Sequence, residues 1–257
     1  MITNSYIFLE RINYLTEQAL WKQRIQYWDD FLEKDSVKGF SKQRKKYYDR
    51  KIMEAKRNLY TLNSSYFMDK LPSAENWRLY DFFKDESVFL DIETTGVEKY
   101  DDVVVVGLFD GIDVKTMIKG INLNLFALKQ ELRKYRLIVT FNGAVFDVPF
   151  LKKRYPDIIP KIPVFDVRPV CQRIGLTGGL KEIEKKLGIK RNKIIEHFYG
   201  GDPLCLWRMY RVTGDDYYLN VLIEYNGEDV VNLKKIAEYA IEKLKVQIHT
   251  KFFNKNI

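Results

Sequence analysis

The chain has 257 residues, with 46% hydrophobic and 14% aromatic side chains, so it can build a sizeable core and is not dominated by disorder. Its 43 basic and 35 acidic residues leave a formal charge of +8, which permits a polyanionic partner without demanding one. Cys171 and Cys205 are the only cysteines and lack CxxC spacing, which argues against a zinc site or disulfide framework and fits a reducing compartment. No apolar run reaches transmembrane length, and the first residues read as no signal peptide, so a cytoplasmic location and no membrane partner are expected.

Residues 1 to about 70 predict a helical region. "EQALWKQRIQYWDDFLE" spaces Leu20, Trp21, Ile25, Trp28 and Leu32 as an amphipathic helix, with Trp21 and Trp28 in a small core. From 42 to 57 there are eight basic residues, interleaved with Tyr47 and Tyr48. Such a helix can lie along a phosphate backbone, but a charge run alone reads as a solvated face. "KLPSAENW", 70–77, reads as a joint. Three strands follow in "SVFLDIE", "DVVVVGLFD" and "DVKTMI", then a helix over about 123–135, the strand "RLIVTF", and a mostly helical remainder. This order predicts an α/β layer architecture with a mixed sheet. It carries no internal repeat and no low-complexity segment.

Acids stand at three informative places. In "FLDIETTG", Asp91 and Glu93 are two apart on a strand and therefore share a face. Two adjacent carboxylates repel, and a metal ion would compensate; solvated acids on an edge strand would read the same way. In "VTFNGAVFDVPFL", Asp147 follows the turn residues Asn142-Gly143 at a strand's carboxyl end, where it can serve a site or cap a helix. In "LIEYNGEDVVNLKKIAEYAIEKL", Tyr225 and Asp229 are four apart on one helical face.

Taken in order, "DIE", "FNGxxFD" and "YxxxD" resemble the signature of the DEDD superfamily of 3′→5′ exonucleases, with Asp91, Glu93, Asp147 and Asp229 as its four acids. Tyr225, four residues before the last acid, matches the tyrosine subtype; Glu224 stands where the histidine subtype needs a histidine, and His197 and His249 do not fit. With "WRLYDFF", "GGLKEIEKKLGIKR", "LWRMY" and "YNGEDVVNL", residues 77 to 242 look like the YprB-type ribonuclease-H-like exonucleases. The first residues look like the helical segment preceding that domain in some relatives, which often carries a Gly-Ile-Gly-like hairpin turn. Here Arg11-Ile12-Asn13-Tyr14 has no glycine, so hairpin-type DNA binding is not expected there.

The resemblance implies a ribonuclease-H-like mixed sheet flanked by helices at 76–257, preceded by a small helical domain at 1–75 that could bind nucleic acid or a partner. It implies a hard, oxygen-only site for two Mg²⁺ or Mn²⁺ ions on the four acids, suited to in-line displacement at phosphorus. Tyr225, whose reference pKa is about 10, would orient water and not act as a base. Thr94 and Thr95 resemble the position that meets the 3′-terminal nucleotide, and Asn142 and Phe146 could line the same cleft. Plainer readings go to other residues. Lys181, Lys185, Lys186, Lys190, Arg191 and Lys193 read mostly as a solvated face, with phosphate contact open to them. Trp207 and Tyr210 read as core, Asp166 as a helix start, and Glu98, Asp101 and Asp102 as an exposed loop. The leading expectation is a 3′→5′ exonuclease on single-stranded DNA. An RNA exonuclease is the alternative, because the motif does not read the sugar; a non-catalytic nucleic-acid-binding module ranks lower.

Overall fold

A computed structural model describes residues 1–96, 101–192, 195 and 203–252. Five strands form one sheet: β1 Ser87–Thr94, β2 Val103–Phe109, β3 Val114–Ile118, β4 Leu137–Thr140 and β5 Val164–Asp166, in the order β3-β2-β1-β4-β5. The first three pair antiparallel, while β4 and β5 run parallel to β1. The Asp-Gly hairpin forms as expected, with Asp110 Oδ1 accepting the amides of Ile112 and Asp113 and Gly111 at φ 102°. Strand β5 carries no alternation to read, because three residues are too few to show a period of two.

Alternation along β1 divides the core. Val88, Leu90 and Ile92 pack with Leu128 and Leu132 of the helix Leu125–Leu132 and with Val148 and Leu151 of Asp147–Arg154. Phe89 turns to the other face and packs with Val230, Leu233 and Ile236. Those three lie on one helix of 37 residues, Asp216–Phe252, about 55 Å long at 1.5 Å per residue. In chain order the helices are α1 Tyr14–Lys22, α2 Trp28–Glu33, α3 Lys42–Tyr60, α4 Tyr80–Phe83, α5 Leu125–Leu132, α6 Asp147–Arg154, α7 Val167–Arg173, α8 Leu180–Leu187, α9 Pro203–Thr213 and α10 Asp216–Phe252. Among the described residues no helix is long and apolar enough to cross a membrane.

The N-terminal region is less helical than expected. The amphipathic stretch is two helices, α1 and α2, broken where Arg24 takes φ 62°. Asp30 Oδ2 accepts the amides of Gln26 and Tyr27, both at 2.8 Å, and this restart sets α2 off from α1. Trp21 and Trp28 are core residues, and the Trp28 indole donates to Ser5 O at 2.6 Å. On α3, half of the basic run is structural. Lys45 is buried against Asp49 and the Phe31 ring, and Arg44 lies over the rings of Phe40 and Tyr48. Lys51 and Lys56 pair with Glu54 and Asp29.

The segment 70–77 does not behave as an open joint: Leu71, Glu75, Asn76 and Trp77 are buried. Glu75 Oε2 accepts from Arg78 Nε at 2.6 Å and from the Trp77 indole at 3.0 Å, and its Oε1 accepts from Arg173 at 2.7 Å. Arg78 also pairs with Glu17 at 3.1 Å, and Glu17 and Arg78 are fully buried. One apolar cluster runs from Tyr6, Trp21 and Trp28 through Trp77 and Phe89 to α10. Residues on either side of position 75 therefore share a core.

Candidate active site

Two elements bring the acids together. On β1, Asp91 and Glu93 continue the face that begins at Phe89, where the apolar core gives way, so both point toward α10. A β-bulge between Glu93 and Thr94 ends the regular pairing. On α10, Asp229 lies one helical turn past Tyr225, and both are buried. Carboxylate oxygens of Asp91, Glu93 and Asp229 all lie within 4.8 Å of one another. Asp147 stands beside this group as the first residue of α6, with its Oδ1 accepting the Ile92 amide at 3.0 Å. The backbone between the two strand acids is thus tied to the third acid.

Two glycines make these approaches sterically open. Gly107 faces Asp91 across β1 and β2. A Cβ there would lie 2.0 Å from Asn226 Oδ1, so the absent side chain makes room for Asn226. Asn226 Nδ2 then donates to Asp91 Oδ2 at 2.9 Å. At Gly143 a Cβ would lie 2.8 Å from Asp147 Oδ2.

Burial pushes the Asp91 carboxyl well above the usual carboxylate range. Repulsion from Asp229, Asp147 and Glu93 adds to the shift, against which Asn226 works. Burial raises Asp147 to about 7, although its own amide and that of Ile92 hold it down. Burial raises Asp229 to about 6, and Arg191 opposes the rise. Burial, with Asp229 and Glu93 nearby, also raises the Tyr225 phenol, which stays protonated at neutral pH. Acids that resist ionisation together, with oxygen donors only, fit a hard divalent cation that would stabilise their charged forms.

The cations at this site differ from the solvated face expected of them. Arg191 is buried; its Nε and Nη2 each donate to Glu184 at 2.7 Å, and Nη2 also contacts Asp229 Oδ1. Burial alone would lower its pKa, but Glu184 and Asp229 raise it, and it stays charged. Asn232 Nδ2 donates to Glu184 at 3.1 Å. Half-buried Lys181 lies 4.5 Å from the Tyr225 ring centroid, with its pKa lowered by burial despite Asp229 and Glu93. Lys185, Lys186 and Lys190 are exposed as expected, whereas Lys193 lies outside the described residues.

The residues expected to meet substrate have structural partners. Thr94 Oγ1 donates to Gly96 O, and Thr95 Oγ1 donates to Asp101 while accepting the Asp102 amide. Asn142, at φ 63°, accepts from Arg168 Nη1 at 2.7 Å. Phe146 lies tilted against Phe150, with ring centroids 5.6 Å apart, beside the β1 core. Asp166 caps α7 as expected and also accepts the amides of Asn142 and Ala144. Asp101 and Asp102 are half-buried, contrary to an exposed loop; Lys119 and Arg154 hold Asp102. Glu98 lies outside the described residues. Trp207 sits in the core as expected, while Tyr210 is only half-buried and packs against it, with ring centroids 5.8 Å apart.

Residues 88–241 match the RNase_H_2 family, of the RNase_H superfamily. No curated protein matches the chain. Among solved structures, Brucella melitensis NrnC is similar at 20% identity with a TM-score of 0.45, over 67% of this chain and 80% of that one. Brucella melitensis NrnC bound to pGG gives 20% identity and a TM-score of 0.45, over 70% and 81%.

Proposed function

This chain belongs to the RNase_H superfamily, and on that premise we propose that it is a metal-dependent 3′→5′ exonuclease. The finer assignment is to the tyrosine subtype of the DEDD exonucleases, of the YprB-like kind. The observation that carries it is the convergence of Asp91, Glu93 and Asp229, with Asp147 alongside and Tyr225 one turn before Asp229.

In this reading the four acids hold two Mg²⁺ or Mn²⁺ ions, which when bound supply Lewis acidity at the phosphodiester. Asn226 fixes the Asp91 carboxylate. Protonated Tyr225 orients the attacking water by hydrogen bond and takes no proton. Thr94, Thr95, Asn142 and Phe146 line the path of the 3′-terminal nucleotide. Residues 1–75 supply the nucleic-acid-binding part and 76–257 the nuclease part of a chain whose two parts share one core. Lys42, Lys46, Arg50 and Arg57 support the first part: they are exposed on α3 and make no ion pair among the described residues. The proposed substrate is single-stranded DNA, with RNA as the alternative.

The test uses 5′-labelled DNA and RNA oligonucleotides, single- and double-stranded, with Mg²⁺, Mn²⁺ or EDTA. Metal-dependent shortening from the 3′ end is expected with the wild-type protein and none with Asp91→Asn. Undiminished cleavage by Asp91→Asn would overturn the site assignment, and faster loss of RNA would give the substrate to the alternative.

A further inference from the structure

We propose that Arg191 is a phosphate-binding residue of this site, donating from Nη1 to a backbone phosphate of the nucleic acid at the scissile bond. The inference rests on the nuclease reading above and names a residue outside the acid signature. A buried arginine that only neutralised acids would find each of its donors a partner. Here Nε and Nη2 are taken by Glu184 and Asp229, while Nη1 is buried with no hydrogen-bond partner among the described residues. An orphaned, buried, charged donor is costly unless a ligand meets it. The guanidinium is rigid and planar, so the free Nη1 is fixed beside the Nη2 that touches Asp229, next to the acid cluster.

The rest of the setting suits an anion. Glu184, fully buried and held by Asn232, clamps the guanidinium in a side-on pair, so little side-chain freedom is left to lose on binding. The Arg191 Cζ lies 5.4 Å from the Tyr225 ring centroid, and Lys181 lies against the same ring. Two cations beside one tyrosine would work against a divalent metal on Asp229 unless an anion joined them. A phosphodiester is the anion that this reaction brings, and a planar arginine fork matches its oxygens.

The test measures binding without turnover. The probe is an oligothymidylate with phosphorothioate linkages at its 3′ end, titrated in Ca²⁺ at several KCl concentrations. The variants are Arg191→Lys and the double Arg191→Gln/Glu184→Gln, which removes both buried charges together and leaves neither uncompensated. Mn²⁺ affinity of each protein is measured by calorimetry without nucleic acid. The double variant should bind the probe about ten-fold more weakly, with a salt slope shallower by about 0.7, the loss of one phosphate contact on a single strand. Its Mn²⁺ affinity should not fall. Arg191→Lys should keep most of the slope and lose affinity, since a point charge replaces the fork; if the double variant does not fold, this loss at unchanged Mn²⁺ affinity carries the test. Unchanged probe binding in the variants would overturn the inference. So would a loss that follows weakened Mn²⁺ binding with the slope intact, which would make Arg191 a support for Asp229 alone. Wild-type protein that binds no oligonucleotide would instead sink the nuclease reading.

Discussion

Asn226 reaches Asp91 only because Gly107 leaves space for it. The amide donates to Asp91 Oδ2 at 2.9 Å, and a Cβ at position 107 would stand 2.0 Å from the other end of the same amide. A strand glycine and a helix asparagine together aim a carboxylate. Gly107→Ala should therefore destabilise the fold by about 1–3 kcal/mol, the range for overpacking a filled site, and weaken Mn²⁺ binding. Asn226→Ala should weaken Mn²⁺ binding without the steric cost. Combined with Gly107→Ala, it should recover most of the lost stability. Additive losses in a thermal-melt double-mutant cycle would show that the two residues do not meet.

Tyr225 is poised to donate. Its phenol is pushed above its ordinary range by burial and by Asp229 and Glu93, so it is protonated at neutral pH. Tyr225→Phe should lower kcat on the order of 10²-fold, the scale of a positioned proton-handling group, and leave Mn²⁺ affinity within error. A phenylalanine variant with wild-type kcat would remove the tyrosine from the mechanism.

The acids predict how stability follows pH. Folding raises Asp147 to about 7 and Asp229 to about 6, from unfolded values of about 3.9. A carboxyl whose folded pKa is raised contributes stability that is full below the unfolded value and lost as pH rises through the folded one. In EDTA, the melting temperature should fall between about pH 4 and pH 7. Saturating Mn²⁺ should flatten that fall, and Asp91→Asn should reduce it by relieving repulsion. A metal-free protein whose melting temperature rises over this window would contradict the electrostatic account.

The N-terminal region should prove inseparable. Removing residues 1–75 takes both carboxylates from Arg78, which is fully buried, and uncovers Trp77 and the apolar cluster that reaches α10. Breaking a buried pair costs about 3–5 kcal/mol before the lost apolar burial is counted. A chain starting at residue 76 should be insoluble or lack a cooperative melt. Replacing Lys46 and Arg50 with glutamine should leave the melt unchanged and lower the salt slope of oligonucleotide binding.

What could be read beforehand was whatever a local period encodes. Strand alternation places Asp91 and Glu93 on one face, and a helical turn joins Tyr225 to Asp229, so these positions follow from spacing alone. Gly107 left a trace, since a lone glycine inside "VVVVGLF" marks a close approach. Asn226, three residues before Asp229, was legible as a neighbour but not as a partner of Asp91. Arg191 left none: in a run of lysines its burial depends on the loop after α8 meeting α10, where Glu228 accepts the Asn192 amide at 2.8 Å. The continuity of the core across residues 70–77 was equally hidden, because proline and small polar residues look the same in a linker and in a packed 3-10 turn.

Glu17, Glu75 and Arg78 also bear on how this sequence can change over generations. Arg78 replaced alone leaves Glu17 charged in the interior without a cation, at about 3–5 kcal/mol, against a whole folding margin of about 5–15 kcal/mol, whereas Glu17 or Glu75 replaced alone leaves Arg78 paired with the other. Arg78 can therefore change only together with Glu17, or after Glu17 has become a neutral side chain of similar size. The first helix and the segment leading into β1 are bound to a shared mutational history, and a recombination point between them would yield chimaeras that fold only where both parents carry a compatible set of charges at positions 17, 75 and 78.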